Sequence, residues 1–245
     1  MPLGFVHATE TNHQSLSLVG GGRVVALPSG RAVLSGVDPL WVYNWVFGVR
    51  RALALDAARD AFAAAGRAYV HVLASPSSRA DLPDVLADLG LHQVETQSYR
   101  RAEGTGAGAP KLEPFDRSDA AGFVELVLSA PVGGERQDHR RPAYERRFAD
   151  GRSRAFRTPD RSGGFLLFDD GPTTQLCHLA VRPEEQGRGL GRGLLEQACG
   201  LVARGRPLWL STGLDGAADR TATAAGWRRS HTAGDWLLPL TGEGT

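Results

Sequence analysis

The chain has 245 residues, which is enough for one large domain or for two of moderate size, each with a buried core. Its 28 basic and 27 acidic residues leave a net charge of +1, which argues against nucleic-acid binding and against a polybasic membrane patch. No stretch approaches the length of a membrane span, and no charged start precedes an apolar run. We therefore expect an unanchored cytoplasmic protein with no membrane or nucleic-acid partner.

The two cysteines also favour a reducing compartment. Cys177 and Cys199 both lie in apolar stretches, and no Cys/His spacing in the chain resembles a zinc or haem site. The sequence predicts two free thiols and no metal.

The first half of the chain predicts alternating strands and helices. Its strand segments are rich in Val, Trp, Tyr and Phe, and its helical segments end at glycine. The predicted strands are Arg31–Gly36, Leu40–Val49, Ala68–Ala74 and Gln93–Arg100, and the predicted helices are Leu53–Ala65 and Leu82–Leu89. Four aromatic residues alternate along the second strand, so we expect them to share one packed face: Trp41, Tyr43, Trp45 and Phe47.

The second half predicts helices, then three strands, then helices alternating with strands. The predicted helices are Ala120–Leu128, Ala143–Phe148, Leu190–Ala203 and Ala217–Ala225, and the predicted strands are Arg154–Thr158, Gly164–Phe168, Gln175–Val181, Pro207–Ser211 and Trp236–Leu240. Both halves finish in the order helix, strand, helix, glycine, strand, which indicates an internal duplication. The Gly/Ala-rich stretch between them predicts a domain at 1–103, a linker at 104–111 and a second domain at 112–245.

The segment from Val181 to Leu195 joins a predicted strand to an amphipathic helix through several glycines. Glycine permits a positive φ and lets a ligand approach the backbone closely. The first amides of a helix have no intrahelical acceptor, so they can bind an anion there. The segment therefore predicts a pyrophosphate site, to which Arg188 and Arg192 would add charge.

The glycine spacing narrows the choice of ligand. A dinucleotide fingerprint that starts at Gly189 needs glycine where the chain has Leu194, and a Walker A loop needs a lysine where the chain has none. The pattern Gln186-x-x-Gly189-x-Gly191 after a strand that ends in valine closely resembles the acetyl-CoA loop of the GNAT N-acetyltransferase superfamily.

This resemblance implies an α/β fold with two GNAT-like domains, each a central mixed sheet flanked by helices. The first would be degenerate, because no glycine-rich loop lies between Arg50 and Leu53. In the second, the strand before the loop would diverge from its neighbour and pair with the pantetheine arm. The residues that the resemblance assigns to acetyl-CoA are Leu179, Ala180, Val181, Gln186, Gly187, Arg188, Gly189, Leu190, Gly191 and Arg192.

The resemblance also implies direct attack of an acceptor amine on the thioester, with a base to remove the amine proton. The position of the family's glutamate holds Gln175, which cannot act as a base. His178 is the candidate in its place, and strand alternation would put it on one face with Leu176 and Ala180, opposite Leu179 and Val181.

The family's proton donor to the thiolate, a tyrosine, is also replaced. Its position holds Ala222, and Asp215 stands where the family often has asparagine. Thr221, Thr223 or Ser211 could position a water instead.

The sequence thus predicts an enzyme that acetylates a primary amine of a small molecule or peptide. A non-catalytic acyl-CoA-binding module is the alternative. Acceptor specificity would lie in residues 129–142, where Glu135 or Asp138 could hold a cationic amine or could simply be solvated. The oligomeric state is open.

Overall fold

The computed structural model describes residues 3–37, 43–102, 111–130, 138–202 and 205–240, and the chain forms two compact units. The first unit comprises Met1–Tyr99 and Ser230–Thr245, and the second comprises Arg100–Arg229. The second unit therefore ends earlier than the predicted domain at 112–245, because the last strand of the chain pairs within the first unit. Residues 104–110 of the predicted linker at 104–111 lie outside the described residues.

The elements in chain order are α1 (Leu3–Ser17), β1 (Gly22–Ala26), β2 (Arg31–Ser35), β3 (Trp45–Phe47), α2 (Leu53–Ala64), β4 (Tyr69–Ala74), α3 (Leu82–Asp88), β5 (His92–Arg101), β6 (Glu113–Pro114), α4 (Ala120–Ser129), α5 (Arg141–Ala149), β7 (Ser153–Arg157), β8 (Gly163–Asp170), β9 (Thr173–Val181), α6 (Leu190–Gly200), β10 (Leu208–Gly213), α7 (Ala217–Ala224) and β11 (Arg228–Pro239). Helix α1 and strand β1 are not predicted from the sequence. Helix α1 buries polar side chains, among them Thr9, Glu10 and His13, so it lacks a clean apolar stripe.

In the first unit, β1, β2 and β3 pair antiparallel in sequence, β3 pairs parallel with β4, and β4 pairs antiparallel with β11. Phe62 of α2 and Leu86 of α3 belong to the core cluster that packs on these strands. Two of the four aromatic residues predicted to share a packed face do so. Trp45 and Phe47 are buried, and their stacked rings have centres 5.7 Å apart. Trp41 lies outside the described residues.

The second unit repeats this order. Strands β6 to β9 pair antiparallel in sequence, and β9 pairs parallel with β10. Leu194 and Leu195 of α6 pack with Trp227 in the core of this unit. Each unit thus has three antiparallel strands, a helix, a parallel strand and a helix in that order, which agrees with the predicted duplication. Helix α1 precedes this order in the first unit, and β6, α4 and α5 precede it in the second. The predicted fold class, a mixed sheet flanked by helices, is confirmed.

A buried ion pair fastens the start of the second unit to helix α7. Arg100 donates from Nε and Nη2 to the two carboxylate oxygens of Asp219, at 2.6 and 2.8 Å, and both side chains are buried. Asp219 also accepts from the Thr212 hydroxyl, and Arg100 also donates to the Trp227 carbonyl. Asp219 also pairs with Arg229 at 3.3 Å, so it retains one cationic partner without Arg100, whereas loss of Asp219 leaves the buried Arg100 guanidinium without its carboxylate.

We expect Asp219→Asn to lower the free energy of unfolding by about 3 kcal/mol, because it leaves a buried guanidinium without its counter-charge. Urea denaturation measures the loss. The matched control is Asp215→Asn, which changes a carboxylate that is 81% exposed and should cost less than about 0.5 kcal/mol. Equal effects of the two substitutions would contradict the role given to the buried pair.

Candidate functional site

Strands β9 and β10 pair only where they begin. Thr174 lies opposite Leu208 and Gln175 opposite Trp209, and the register goes no further although both strands continue. Beyond this point, no strand among the described residues pairs with the edge of β9 from Leu176 to Val181 on the β10 side. A free strand edge in a cleft can pair with an extended ligand.

A β-bulge at His178 interrupts β9 on its other side. The pairing with β8 shifts between Gly164 and Leu166, and His178 has a φ of +53°, which is uncommon for a residue with a Cβ. The bulge overturns the predicted alternation of faces. Leu176, Leu179 and Val181 all belong to or pack on the core cluster under α6, whereas the His178 ring contacts α4 and α5 on the opposite side.

The glycine-rich turn after β9 has the geometry of an anion site. Gly187 and Gly189 have φ of +79° and +82°, and a Cβ on either would meet open space. Gln186 closes the turn by donating from Nε2 to the Val181 carbonyl at 3.0 Å. The backbone N–H groups of residues 187–192 donate to no acceptor among the described residues, so they are available to a ligand at the start of α6.

The two arginines of the turn are exposed and held by neighbouring acids. Arg188 pairs with Glu185 at 3.0 Å and Arg192 with Glu196 at 2.7 Å. Exposed pairs of this kind are weak, so either guanidinium can turn to a phosphate at little cost.

The other side of β9 carries aromatic and cationic groups. The His178 ring lies 4.9 Å from that of Tyr144 and 6.4 Å from that of Phe123. Burial, then the charges of Arg147 and Arg140, hold the pKa of His178 well below its usual 6.5, so its imidazole is neutral at pH 7. Its Nε2 makes no hydrogen bond within the part of the chain that the structure describes.

Burial raises the pKa of the Cys177 thiol to about 12, against the opposing charge of Arg147. Cys177 therefore remains a thiol at neutral pH. Since the thiolate is the nucleophilic form, this residue is not activated for attack on a thioester.

The positions that differ from the family's acid and base are structural here. Gln175 and Ala222 are buried, the latter in the core cluster of α6. The hydroxyls of Thr221 and Thr223 donate to carbonyls of their own helix, those of Ala217 and Asp219. These two hydroxyls are thus engaged in α7 and are poorly placed to position a water.

The predicted acceptor residues are only partly described. Glu135, with residues 131–137, lies outside the described ranges. Asp138 is exposed and forms an ion pair with Arg141 at 3.2 Å. Its carboxylate is therefore a helix-end partner of an arginine, which does not favour the predicted grip on a cationic amine.

In the first unit, the turn that corresponds to the glycine-rich turn is occupied by a side chain of the same unit. The amides of Arg50 and Arg51, between β3 and α2, both donate to the Ser29 hydroxyl, at 3.0 and 2.9 Å. A serine oxygen thus occupies amides that would otherwise face a phosphate. This gives a physical reason for the predicted absence of a pyrophosphate loop in the first unit.

Within the described ranges, no helix is long and apolar enough to cross a membrane. Among the same residues, no group of three or more His, Cys, Asp or Glu side chains is arranged to hold a metal ion.

Diverging parallel strands, with a glycine turn and free helix-start amides at the end of one of them, define an α/β protein whose geometry suits a phosphate-bearing ligand. The sequence profile of the acetyltransferase (GNAT) family matches residues 137–220, which contain β9, the turn and α6. The chain therefore carries a GNAT acetyltransferase domain. It matches no protein of curated function.

Solved structures share this fold over nearly the whole chain. A GCN5-related N-acetyltransferase from Kribbella flavida aligns with a TM-score of 0.70 and 17% identity, covering 95% of both chains. A tandem GNAT protein from the clavulanic acid biosynthesis pathway aligns with a TM-score of 0.58 and 17% identity, covering 96% of this chain and 97% of its own. A functionally unknown protein from Staphylococcus epidermidis aligns with a TM-score of 0.66 and 10% identity, covering 89% and 94%. At these identities the similarity shows the fold alone.

We expect Gly189→Val to abolish binding of coenzyme A, because a branched side chain would stand in the ligand's space and strain a positive φ. Wild-type protein at about 100 times Kd should gain roughly 2.7 kcal/mol of stability, which a thermal shift reports. The control is Gly171→Val, which imposes similar strain in the β8–β9 turn at φ +56°, at the far end of β9. A coenzyme A shift in Gly189→Val equal to that of Gly171→Val would contradict the assignment of the loop.

We expect one coenzyme A per chain, because Ser29 occupies the loop amides of the first unit. Isothermal titration calorimetry measures this stoichiometry. Two equivalent sites in the wild-type protein would show that the Ser29 hydroxyl gives way to a ligand.

Proposed function

We propose that the second unit transfers an acetyl group from acetyl-CoA to a primary amine of a small molecule or peptide. The observation that carries this proposal is the combination of the free β9 edge with unpaired amides at the start of α6. In the proposal, the pyrophosphate binds the amides of residues 187–192, and the pantetheine arm pairs with Leu179, Ala180 and Val181. Arg188 and Arg192 add charge at the phosphates.

The reaction proposed is direct attack of the amine on the thioester. The amine nitrogen forms a bond to the acetyl carbon, the bond from that carbon to sulfur breaks, and coenzyme A leaves as the thiolate. The bulge at His178 supports this step, since a backbone N–H group that leaves the ladder at a bulge can polarise the thioester oxygen. The high pKa of Cys177 argues against a covalent acetyl-cysteine intermediate.

His178 is the proposed proton acceptor, and its environment defines how it can act. Its imidazole is neutral at pH 7, so Nε2 can accept a hydrogen bond from the amine. The depressed pKa makes it a weak base, and an ammonium group with a pKa of about 10 would hold its proton more tightly. The amine must therefore reach the site largely uncharged, with His178 taking its proton only as the new bond forms.

A non-catalytic acyl-CoA-binding module is the second candidate. It is favoured by Gln175 and Ala222, which stand where the family has its base and its acid. Both side chains are buried, and neither takes up or releases a proton near neutral pH. Both candidates predict cofactor binding, so only turnover separates them. Release of the coenzyme A thiol, measured across a broad panel of amines with acetyl-CoA saturating, supports the enzyme. If acetyl-CoA is shown to bind but no amine in the panel leads to thiol release, the result supports the non-catalytic module.

We expect His178→Asn to lower kcat by about 10²-fold, the lower end of the usual contribution of a general base, while leaving the Kd of coenzyme A unchanged. Asparagine tolerates the positive φ at this position, so the bulge is retained. Wild-type kcat/KM should show no inflection near pH 6.5 that depends on His178, because its pKa lies well below that value. The control is Cys177→Ala, which should leave turnover near that of the wild type. Unchanged turnover in His178→Asn would reject the histidine as proton acceptor.

A further inference from the structure

A cavity in the first unit lies at the carboxyl ends of two parallel strands, β3 and β4. Its volume is about 310 Å³, within the range of small-molecule sites. It is lined by the start of α1 and by the segments that follow β3 and β4. The polar residues of the lining are His7, Arg50, Ser77, Ser78 and Arg79. In α/β sheets, ligands commonly bind outside the carboxyl ends of parallel strands.

The segment after β4 is held in place by the chain after β3. The Arg79 amide donates to the Val49 carbonyl at 3.0 Å, and the Ser78 amide donates to the Ser75 carbonyl at 2.9 Å. The Arg79 guanidinium donates from Nε and Nη2 to the two carboxylate oxygens of Asp81, each at 2.5 Å, so its charge is compensated. The rim of the cavity is therefore already formed before any ligand binds.

A buried carboxylate lies behind the serines of the lining. Glu10 of α1 is 2% exposed, and its Oε1 accepts from the hydroxyls of Ser75 and Ser77. A hydroxyl has one proton to donate. Since the proton of Ser77 is directed to Glu10, this serine offers the cavity an oxygen that only accepts hydrogen bonds.

The second oxygen of Glu10 is open to a donor. Oε2 lies 3.7 Å from Nδ1 of His7, which lines the cavity, and this distance is too long for a hydrogen bond. Among the described residues, no arginine pairs with this carboxylate. A buried carboxylate without a fixed counter-charge is costly, so a cationic donor at this end of the cavity would be stabilised.

Two further groups of the lining are available. The Ser78 hydroxyl oxygen is buried and has no hydrogen-bond partner within the part of the chain that the structure describes. Arg50 is exposed, and its guanidinium forms no ion pair with a described acid. Its backbone amide is fixed by the Ser29 hydroxyl. A guanidinium in this position can bind an anionic group through paired N–H bonds.

We propose that this cavity binds a small zwitterion, whose primary ammonium group lies against Glu10, Ser77 and Ser78 and whose anionic group lies against Arg50. An ammonium group has three N–H donors, and the three residues offer one acceptor oxygen each. The contact with Glu10 supplies most of the affinity, because burial reduces the screening by water. The exposed Arg50 is screened more strongly and selects for the anionic group. The site belongs to the first unit and does not depend on the proposed acetyl transfer.

Isothermal titration calorimetry of the full-length protein, without acetyl-CoA, tests the proposal. The probes are glycine, 4-aminobutyrate and 6-aminohexanoate, which differ in the separation of their charges. Each is compared with the plain amine and the plain carboxylate of the same carbon number. We expect the best amino carboxylate to bind at least about tenfold more tightly than its matched amine or carboxylate, which corresponds to about 1.4 kcal/mol.

Variants locate the binding site. Glu10→Gln removes the buried charge and should abolish binding of the amino carboxylate. Ser78→Ala, a smaller change that leaves the buried carboxylate in place, should weaken binding several-fold. Arg50→Met should lower the affinity for the amino carboxylate to that for its matched amine. The control is Arg51→Met, which changes an exposed arginine of the same turn that does not line the cavity and should leave all affinities unchanged.

The absence of binding by every amino carboxylate would overturn the proposal, as would equal affinities for the amino carboxylates and their matched amines. Binding that is unaffected by Arg50→Met and Ser78→Ala would overturn it too. His178→Asn is the control for the second unit, and binding lost only in that variant would assign the ligand there and reject the cavity. None of these outcomes bears on the proposed acetyl transfer, which is read from thiol release.

Discussion

The separation of β9 from β10 is the constraint on which the second unit depends. Two residue pairs at the start of the strands join β9 to β10, and on the other side of β9 the bulge at His178 interrupts the pairing with β8, which resumes at Ala180. The backbone groups released on the β10 side need partners, since unpaired polar groups in a dry cleft are costly. In the proposed function, a ligand with an extended polar arm supplies them. The glycine turn then presents the start of α6 at the end of the same strand, where a charged group of that ligand can lie.

The bulge also decides the chemistry on the opposite side. In a regular strand, His178 and Leu176 would share a face, and the histidine would be buried under α6. The extra residue instead turns the imidazole toward Tyr144, into the field of two buried arginines. One irregular backbone position thus separates the free strand edge and helix amides from a face with aromatic and cationic side chains. Strain at such a position persists only when the surrounding packing holds it.

The sequence was sufficient for features that depend on local spacing. Gln186, Gly189 and Gly191 identify the loop because each acts through its own backbone or an adjacent one, and the positive φ of Gly189 follows from its residue type. The bulge at His178 has no such signal, since a histidine between leucine and cysteine looks like ordinary strand. Helix α1 was missed because it buries polar residues, and the place of β11 was missed because pairing between distant segments leaves no trace in either segment alone. The cationic face has a weak signal in the spacing of Arg140 and Arg147, but the abundance of arginine in the chain hides it.

The Ser29 hydroxyl in the first unit has a consequence for how the two halves have diverged. A loop that loses its phosphate ligand keeps amides that must be satisfied, and one serine from a neighbouring turn now satisfies two of them. These two amides therefore need no bound ligand. A return to phosphate binding at this turn would need more than one substitution. Removal of Ser29 alone would leave the two amides without a partner, and glycines introduced alone would leave the serine hydroxyl bound to those amides. The turn of the first unit is thus closed by a group of its own chain at the place where the second unit leaves its amides open.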